Sequence, residues 1–284
     1  MSQTRLRIGQ ISYLNVLPLF HHLKGLFPAS DNLEYVQGHP SLMNEMLSRG
    51  ELDTAPASAF EYLQGAEQYR LLPNLSITAS SGPVKSVLLV SPVPLEELPA
   101  WLATNGNAVS VTGASASSVA LLKVLWKFCW GLPEAHWKPI EPGTGLSGRR
   151  PFLEIGNHAL RLYLDPPAGW HVIDLAEAWQ RWQRLPFVFA VWIVRRGLTR
   201  AQKDILADVH TALLHCKSTC VHAIAEIAQW DEFTTWINRA GIEDYLSTVD
   251  YDLGPREQAS LAMFGSYCTR LGLIRGMPSL VWAI

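Results

Sequence analysis

Apolar and polar positions alternate through Arg5-Leu6-Arg7-Ile8-Gly9-Gln10-Ile11, which predicts a strand, and the polar turn Ser12-Tyr13-Leu14-Asn15 ends it. Pro18 suits the first turn of a helix running to about Lys24. An extended stretch at 33–37 precedes a helix opened by Ser41 and closed at Arg49-Gly50. A short strand at 53–56 and a helix at 59–63 complete a β-α-β-α-β-α rhythm, the signature of a doubly wound sheet.

The middle of the chain repeats this grammar. Strands are expected at 75–79, 84–90, 108–111 and 152–155, with helices at 95–102, at 119–129 and from 159. Phe187-Val188-Phe189-Ala190-Val191-Trp192-Ile193-Val194 is the most apolar strand, and everything beyond it reads as helical, at 199–228, 231–240, 243–248 and 255–271. The apolar stretch 273–284 reads as a tail packed on the surface or on a partner. The apolar strands 84–91 and 187–194 flank a compact α/β unit, so the expected architecture is two lobes joined by two crossing strands. Lobe I takes 1–88 and 190–284, and lobe II takes 89–189. The ligand cleft lies at the interface, where strand ends of open α/β sheets meet.

Composition narrows the partners. A formal charge of −2 leaves no electrostatic footprint for nucleic acid or for an anionic membrane, so an anionic ligand must be held by local donors. No apolar run reaches the roughly 18 residues of a membrane span, and no apolar stretch follows Arg5 and Arg7 as in a signal peptide, so a cytoplasmic location is expected. Cys129, Cys216, Cys220 and Cys268 form no C-x-x-C. Cys216 and Cys220 lie one helical turn apart beside His215 and His222, but an amphipathic helix there needs small buried residues, and the pair reads as core. The eleven tryptophans and the apolar tail are compatible with a homodimer and equally with a large core.

Five polar turns follow predicted strands and should face the cleft: Ser12 to Asn15, Ala57-Ser58, Ser80-Ser81-Gly82, Ser115-Ala116-Ser117-Ser118 and Gly156-Asn157. Each puts small hydroxyl or amide groups near a helix N-terminus, where free N–H groups and the helix dipole favour an anion. One such turn alone is an N-cap; five converging describe a site for a small hydrogen-bonding carboxylate. Zincin, nucleophile-elbow and phosphate-loop motifs are missing, and no metal-ligand spacing is present. Gly143-Thr144-Gly145-Leu146-Ser147-Gly148 resembles a dinucleotide loop in outline but opens no helix. Arg149 and Arg150 are able to pair with a ligand carboxylate, but exposed loop charges are more often only solvated. Among the histidines only His158 falls at a strand end beside a cleft turn, where a general base could sit.

Several blocks resemble the chorismate dehydratase family of the futalosine route to menaquinone. They are Ile8-Gly9-Gln10-Ile11-Ser12-Tyr13-Leu14-Asn15-Val16-Leu17-Pro18-Leu19, Phe60-Glu61-Tyr62, Tyr69-Arg70-Leu71-Leu72-Pro73 and Ser81-Gly82-Pro83-Val84-Lys85-Ser86-Val87-Leu88-Leu89. Further ones are Ser117-Ser118-Val119-Ala120-Leu121-Leu122, Leu185-Pro186-Phe187-Val188-Phe189-Ala190-Val191-Trp192, and Tyr245-Leu246 with Tyr251-Asp252-Leu253-Gly254. The resemblance covers about 6–272. It implies a type II periplasmic-binding-protein-like fold used as an enzyme that converts chorismate to 3-[(1-carboxyvinyl)oxy]benzoate and water, with no metal and no redox cofactor. Two positions depart from the family pattern: Asn157 stands where the family usually has Asp, and Ala57 where it commonly has Ser.

The chemistry implied is undemanding in groups. Chorismate loses its C4 hydroxyl and C3 proton and becomes aromatic, so the enzyme's task is orientation and hydrogen bonding to the leaving group and carboxylates. With no side-chain base in the matched blocks, a substrate carboxylate is expected to take the proton while Asn15 and Ser86 hold substrate and leaving group. Ser12, Tyr13, Ser58, Ser80, Ser81, Gly82, Ser115, Ser117, Ser118, Gly156 and Asn157 would line the site. The alternatives are the sister enzyme that makes 1,4-dihydroxy-6-naphthoate, for which His158 would matter, a non-catalytic solute-binding protein, and a ligand-sensing domain.

Overall fold

A computed structural model describes residues 5–80 and 82–284. In chain order its elements are β1 (Leu6–Ile11), α1 (Leu17–Leu26), β2 (Leu33–Gly38), α2 (Pro40–Ser48), β3 (Thr54–Ser58), α3 (Ala59–Gly65) and β4 (Tyr69–Ala79). Then come β5 (Val87–Ser91), α4 (Leu98–Asn105), β6 (Ala108–Thr112), α5 (Ala116–Val124), β7 (His136–Ile140), β8 (Phe152–Ile155), α6 (Gly156–Leu164), β9 (His171–Asp174) and α7 (Leu175–Gln183). The chain closes with β10 (Phe187–Arg195), α8 (Arg200–Ser218), α9 (Cys220–Ile227), α10 (Asp231–Thr234), α11 (Arg239–Leu246), β11 (Val249–Asp250) and α12 (Pro255–Arg270).

The strands form two sheets, one in the order β11-β4-β10-β3-β1-β2 and the other β7-β6-β8-β5-β9. The two-lobed α/β architecture expected from the hydrophobic pattern is therefore present. In the first sheet β1 runs parallel to β2 and β3, and β10 enters antiparallel between β3 and β4. In the second, β6 is parallel to β7 and β8, while β5 pairs antiparallel with β8 and β9.

The passages between sheets are the turns bordering the two apolar strands. β5 bonds only within the second sheet and β10 only within the first, so the chain crosses at 80–86 and returns at 184–186. Both passages carry a non-glycine residue at positive φ, Lys85 at 63° and Arg184 at 59°, a conformation costing on the order of 1–3 kcal/mol that the surroundings must hold in place. Lys85 is held by its N–H to Asp174 Oδ2 (2.7 Å) and by its ammonium on Asp244 (2.5 Å). The left-handed turn at Lys85 is why β5 begins at Val87 and not at 84.

Other departures from the pattern have local causes. β7, β9 and α7 escape a pattern reading because Pro and Gly interrupt their surroundings and their exposed faces are polar. β11 is a short strand within a region expected to be helical throughout, and the expected helix 199–228 breaks at Thr219. The tail packs on its own chain: Leu71 exchanges backbone bonds with Val281 and Ala283, and Tyr62 bonds Ser279 and Val281.

Most core residues form one cluster spanning both lobes. At the end of the first sheet away from the strand-end turns, Asp53 is fully buried between Arg7 (3.3 Å) and Arg195 (2.7 Å), tying β1 and β10 to the start of β3. Removing either arginine would leave a buried carboxylate short of a partner. At the return passage Trp179 of α7 is fully buried against Phe187 and Phe264, and its indole donates to Ser260 (3.1 Å). No helix among the described residues is long and apolar enough to cross a membrane.

Candidate active site

Parallel strands bring their C-terminal ends to one end of a sheet, so the turns after β1 and β3 collect at one end of the first sheet and those after β6 and β8 at one end of the second. β5 runs antiparallel to β8, which sets Ser86, just before β5, beside the end of β8, and Gly156 N–H donates to the Ser86 carbonyl (2.8 Å). The seam between lobes holds cavities in the range usual for small ligands. One of about 620 Å³ is lined by Tyr13, His39 and Ser41 on one side and by Gly113, Ala114 and residues 139–142 on the other. A second, of about 350 Å³, brings Ser12 and Tyr13 together with Asn157, and a third, of about 430 Å³, joins Phe60 to Ser115 and Ala116.

Tyr13 is the first cross-lobe contact. A Cβ on Gly156 would meet its ring at 3.0 Å, and Gly156 sits at φ +62°, so both space and conformation call for glycine there. Burial, and secondarily the charge of Glu154, push the Tyr13 hydroxyl up to about 12, so it stays a neutral donor. Glu154 is buried in β8, accepts from Gly143 N–H (2.8 Å) and Ile155 N–H (3.0 Å), and has its carboxyl raised by burial. Helix α6 starts at Gly156 with no side-chain cap at its N-cap residue; the Ile155 and Gly156 N–H groups are taken by Glu154 and the Ser86 carbonyl, which leaves the next N–H groups of the first turn to a ligand or solvent.

Two further junctions join the lobes through hydroxyls. Ser58 caps α3 and its Oγ lies 2.8 Å from Ser117 Oγ of α5, which also accepts from Phe60 N–H (3.1 Å). At the outward passage, Tyr245 OH of α11 donates to Ser86 Oγ (3.0 Å); Tyr245 and Ser86 are both buried. Burial raises Tyr245 well above the usual phenol range, which keeps it protonated and donating.

Asn15 sits in the turn between β1 and α1. Its carbonyl accepts from Tyr251 OH (2.9 Å), while its Oδ1 is buried with no hydrogen-bond partner. Buried polar atoms are nearly always paired, so this oxygen is poised to receive a donor. Gln10 Oε1 in β1 is in the same condition.

The remaining expected residues are distributed as follows. Ser12 is exposed at the rim, with its N–H on Gly38 O (2.9 Å). Ser115 caps α5 and pairs with Ser118 Oγ (2.8 Å), so these hydroxyls serve the helix start. The Ser80 carbonyl and Gly82 N–H are both taken by the Gln180 side chain of α7 (3.0 and 2.6 Å), which makes them part of the passage. Ser81 lies outside the described residues. Asn157 is half-buried in the first turn of α6; His158 is exposed and packs on Gly143. Arg149 is exposed, and Arg150 bonds Gly148 O within its own loop.

Sequence reasoning missed Tyr245 and Tyr251 as site partners, although both stand in blocks quoted for the resemblance, and it missed Glu154 and Gln180. The one available signal for Glu154 was a carboxylate inside an otherwise apolar four-residue strand.

Residues 6–270 match the family model described as menaquinone biosynthesis. The chain is 32% identical over 272 residues to the chorismate dehydratase of Thermus thermophilus, covering 90% of this chain and 93% of that one. In structure it is similar to protein AF1704 from Archaeoglobus fulgidus, with a TM-score of 0.74 at 16% identity over 96% of this chain and 100% of that one. It is also similar to the periplasmic aliphatic sulphonate binding protein of Escherichia coli, with a TM-score of 0.63 at 16% identity over 99% and 94%. At such identities the two solved structures speak for the fold alone.

Proposed function

The chain belongs to the menaquinone-biosynthesis family, with a chorismate dehydratase among its relatives, and from that premise we propose that it dehydrates chorismate to 3-[(1-carboxyvinyl)oxy]benzoate. The C3–H electron pair becomes the new ring double bond, the C4–O bond breaks, and the released hydroxide leaves as water with the proton taken from C3. A substrate carboxylate accepts that proton. Aromatisation drives the reaction, and holding the conformer in which carboxylate and proton are adjacent supplies an advantage of roughly 7–11 kcal/mol in well-oriented cases.

The observation that carries the assignment of residues is the treatment of Asn15 and Ser86. Each accepts a hydrogen bond from a buried tyrosine, Tyr251 and Tyr245, six positions apart in one segment, and each keeps a group unspent. Asn15 retains a buried, unpartnered Oδ1. Ser86 Oγ already accepts from Tyr245, so its own O–H is free to donate a hydrogen bond to the departing hydroxyl without giving up its proton. Tyr13 and the first turn of α6 receive a carboxylate, and the neutral amide of Asn157 adds no second negative charge beside Glu154 at that helix end.

Incubation of purified protein with chorismate, followed by ultraviolet spectroscopy and mass analysis, tests the reading. Loss of the cyclohexadiene absorbance with a product lighter by one water is expected. Chorismate recovered unchanged, with or without a rise in melting temperature, would overturn it.

A further inference from the structure

We propose that His21, His22 and Glu226 form a binding site for a divalent transition ion of the zinc class that staples α1 to α9. Glu226 Oε2 lies 2.6 Å from His21 Nε2 and Glu226 Oε1 lies 3.9 Å from His22 Nε2. The three ligand atoms all fall within 4.8 Å of one another. Around a tetrahedral ion with bonds of about 2.0–2.2 Å, ligand atoms stand roughly 3.3–3.6 Å apart. One observed separation is shorter than that spacing and the other longer, each to a different carboxylate oxygen, so side-chain rotations would bring both imidazoles and the carboxylate onto one ion.

The donor set points to the ion. Two imidazole nitrogens and one carboxylate, without sulfur, suit zinc, copper or nickel better than magnesium or calcium, which prefer all-oxygen shells. His21 is held by the edge of Trp230, with ring centroids 5.2 Å apart, a packing contact that limits ring rotation. The imidazoles are about a quarter exposed, so an ion can enter. The cavity of about 350 Å³ beside His21 and Trp230 has room for the water that completes the shell. Among the described residues no lysine or arginine pairs with Glu226; its hydrogen-bond and ionic partners are the two histidines. Motif reading cannot find such a site, because the third ligand is 205 positions from the first.

Position gives the site a consequence. Helix α1 follows directly on the Leu14–Val16 turn that carries Asn15, and α1 packs on α8 and α9. An ion joining α1 to α9 would hold the start of the Asn15 turn against the C-terminal helices.

The test titrates zinc into chelator-treated protein near neutral pH, by calorimetry and in competition with a chromophoric zinc chelator, with melting temperature as a second readout. Wild-type protein should take up a single ion per chain and melt higher with zinc. His21→Ala, His22→Ala and Glu226→Gln should each lose both responses, and Cys220→Ser should keep them. Absence of zinc uptake by the wild type, uptake that survives the histidine variants, or uptake lost in Cys220→Ser would overturn the proposal.

Discussion

Two hydroxyl junctions join the lobes, and they are built differently. At Ser58–Ser117 two small side chains meet where two helices begin, and each already serves backbone N–H groups, Ser58 that of Glu61 and Ser117 that of Phe60. At Ser86–Tyr245 a fully buried aromatic ring delivers one donor to a serine whose proton remains free. The first junction spends its hydrogen-bonding capacity on backbone N–H groups, one of them, that of Phe60, across the lobes. The second sits at a passage whose backbone is held by Asp174 and Gln180, with the Lys85 ammonium on Asp244. A site that must orient a small dicarboxylate gains by placing its working groups where the two lobes cannot move far apart.

The comparison is tested most severely at Asn15, whose buried Oδ1 has no hydrogen-bond partner. Asn15→Ala should lower kcat by about 10²–10³, the usual cost of removing one preorganised polar group, with the melting temperature little changed. A variant that turns over at the wild-type rate would remove Asn15 from the site.

Asp174 sharpens the contrast through pH. Burial, only partly offset by N–H donors from Glu177, Lys85, Val84 and Ala176, raises its carboxyl from 3.8 to about 6. A folded-state value above the unfolded one means that the native state holds the proton more tightly. The stabilisation is full below about pH 4, is lost as pH rises through about 6, and stays lost above. Over that window Asp174 should weaken the fold by about 3 kcal/mol. Asp174→Asn keeps a capping acceptor and should flatten the dependence in denaturation curves taken from pH 4 to 7. A slope unchanged in the variant would assign it to other groups.

At the Ser58 junction, Ser117→Ala strips a buried acceptor from Phe60 N–H and should cost about 1–3 kcal/mol in urea denaturation. Its effect on kcat should be smaller than that of Asn15→Ala; the reverse order would exchange the roles of the two junctions. The mildest change is Tyr245→Phe, which keeps the ring and removes the donor. It should cost about 1 kcal/mol and slow turnover about five-fold, with KM unchanged.

The N-terminal strand, its polar turn and the apolar strand β10 were legible because their signals are local: alternation through Ile11, Pro18 opening α1, and an unbroken apolar run from Phe187. The small polar groups at strand ends were legible for the same reason. What each group would bond was not. The partners of Ser86 and Asn15 lie 159 and 236 positions away, and no periodicity encodes such pairings. The sequence marked Ser80 and Gly82 as polar turn residues, but not that the Gln180 side chain, on a helix hidden among Pro, Gly and charged residues, bonds the carbonyl of one and the N–H of the other. Residues 84–86 read as strand because they run straight into the apolar Val87-Leu88-Leu89-Val90, yet Lys85 sits at positive φ and turns the chain between lobes.

The most direct test of the central claim is the fate of chorismate on Ser86→Ala. Binding is measured by calorimetry, and the mass of the recovered ligand is compared with that from the wild type under the same conditions. The variant should bind chorismate and return it unchanged, while the wild type returns a species lighter by one water. Dehydration by Ser86→Ala at the wild-type rate would contradict the assignment of the Ser86–Tyr245 junction to the chemistry.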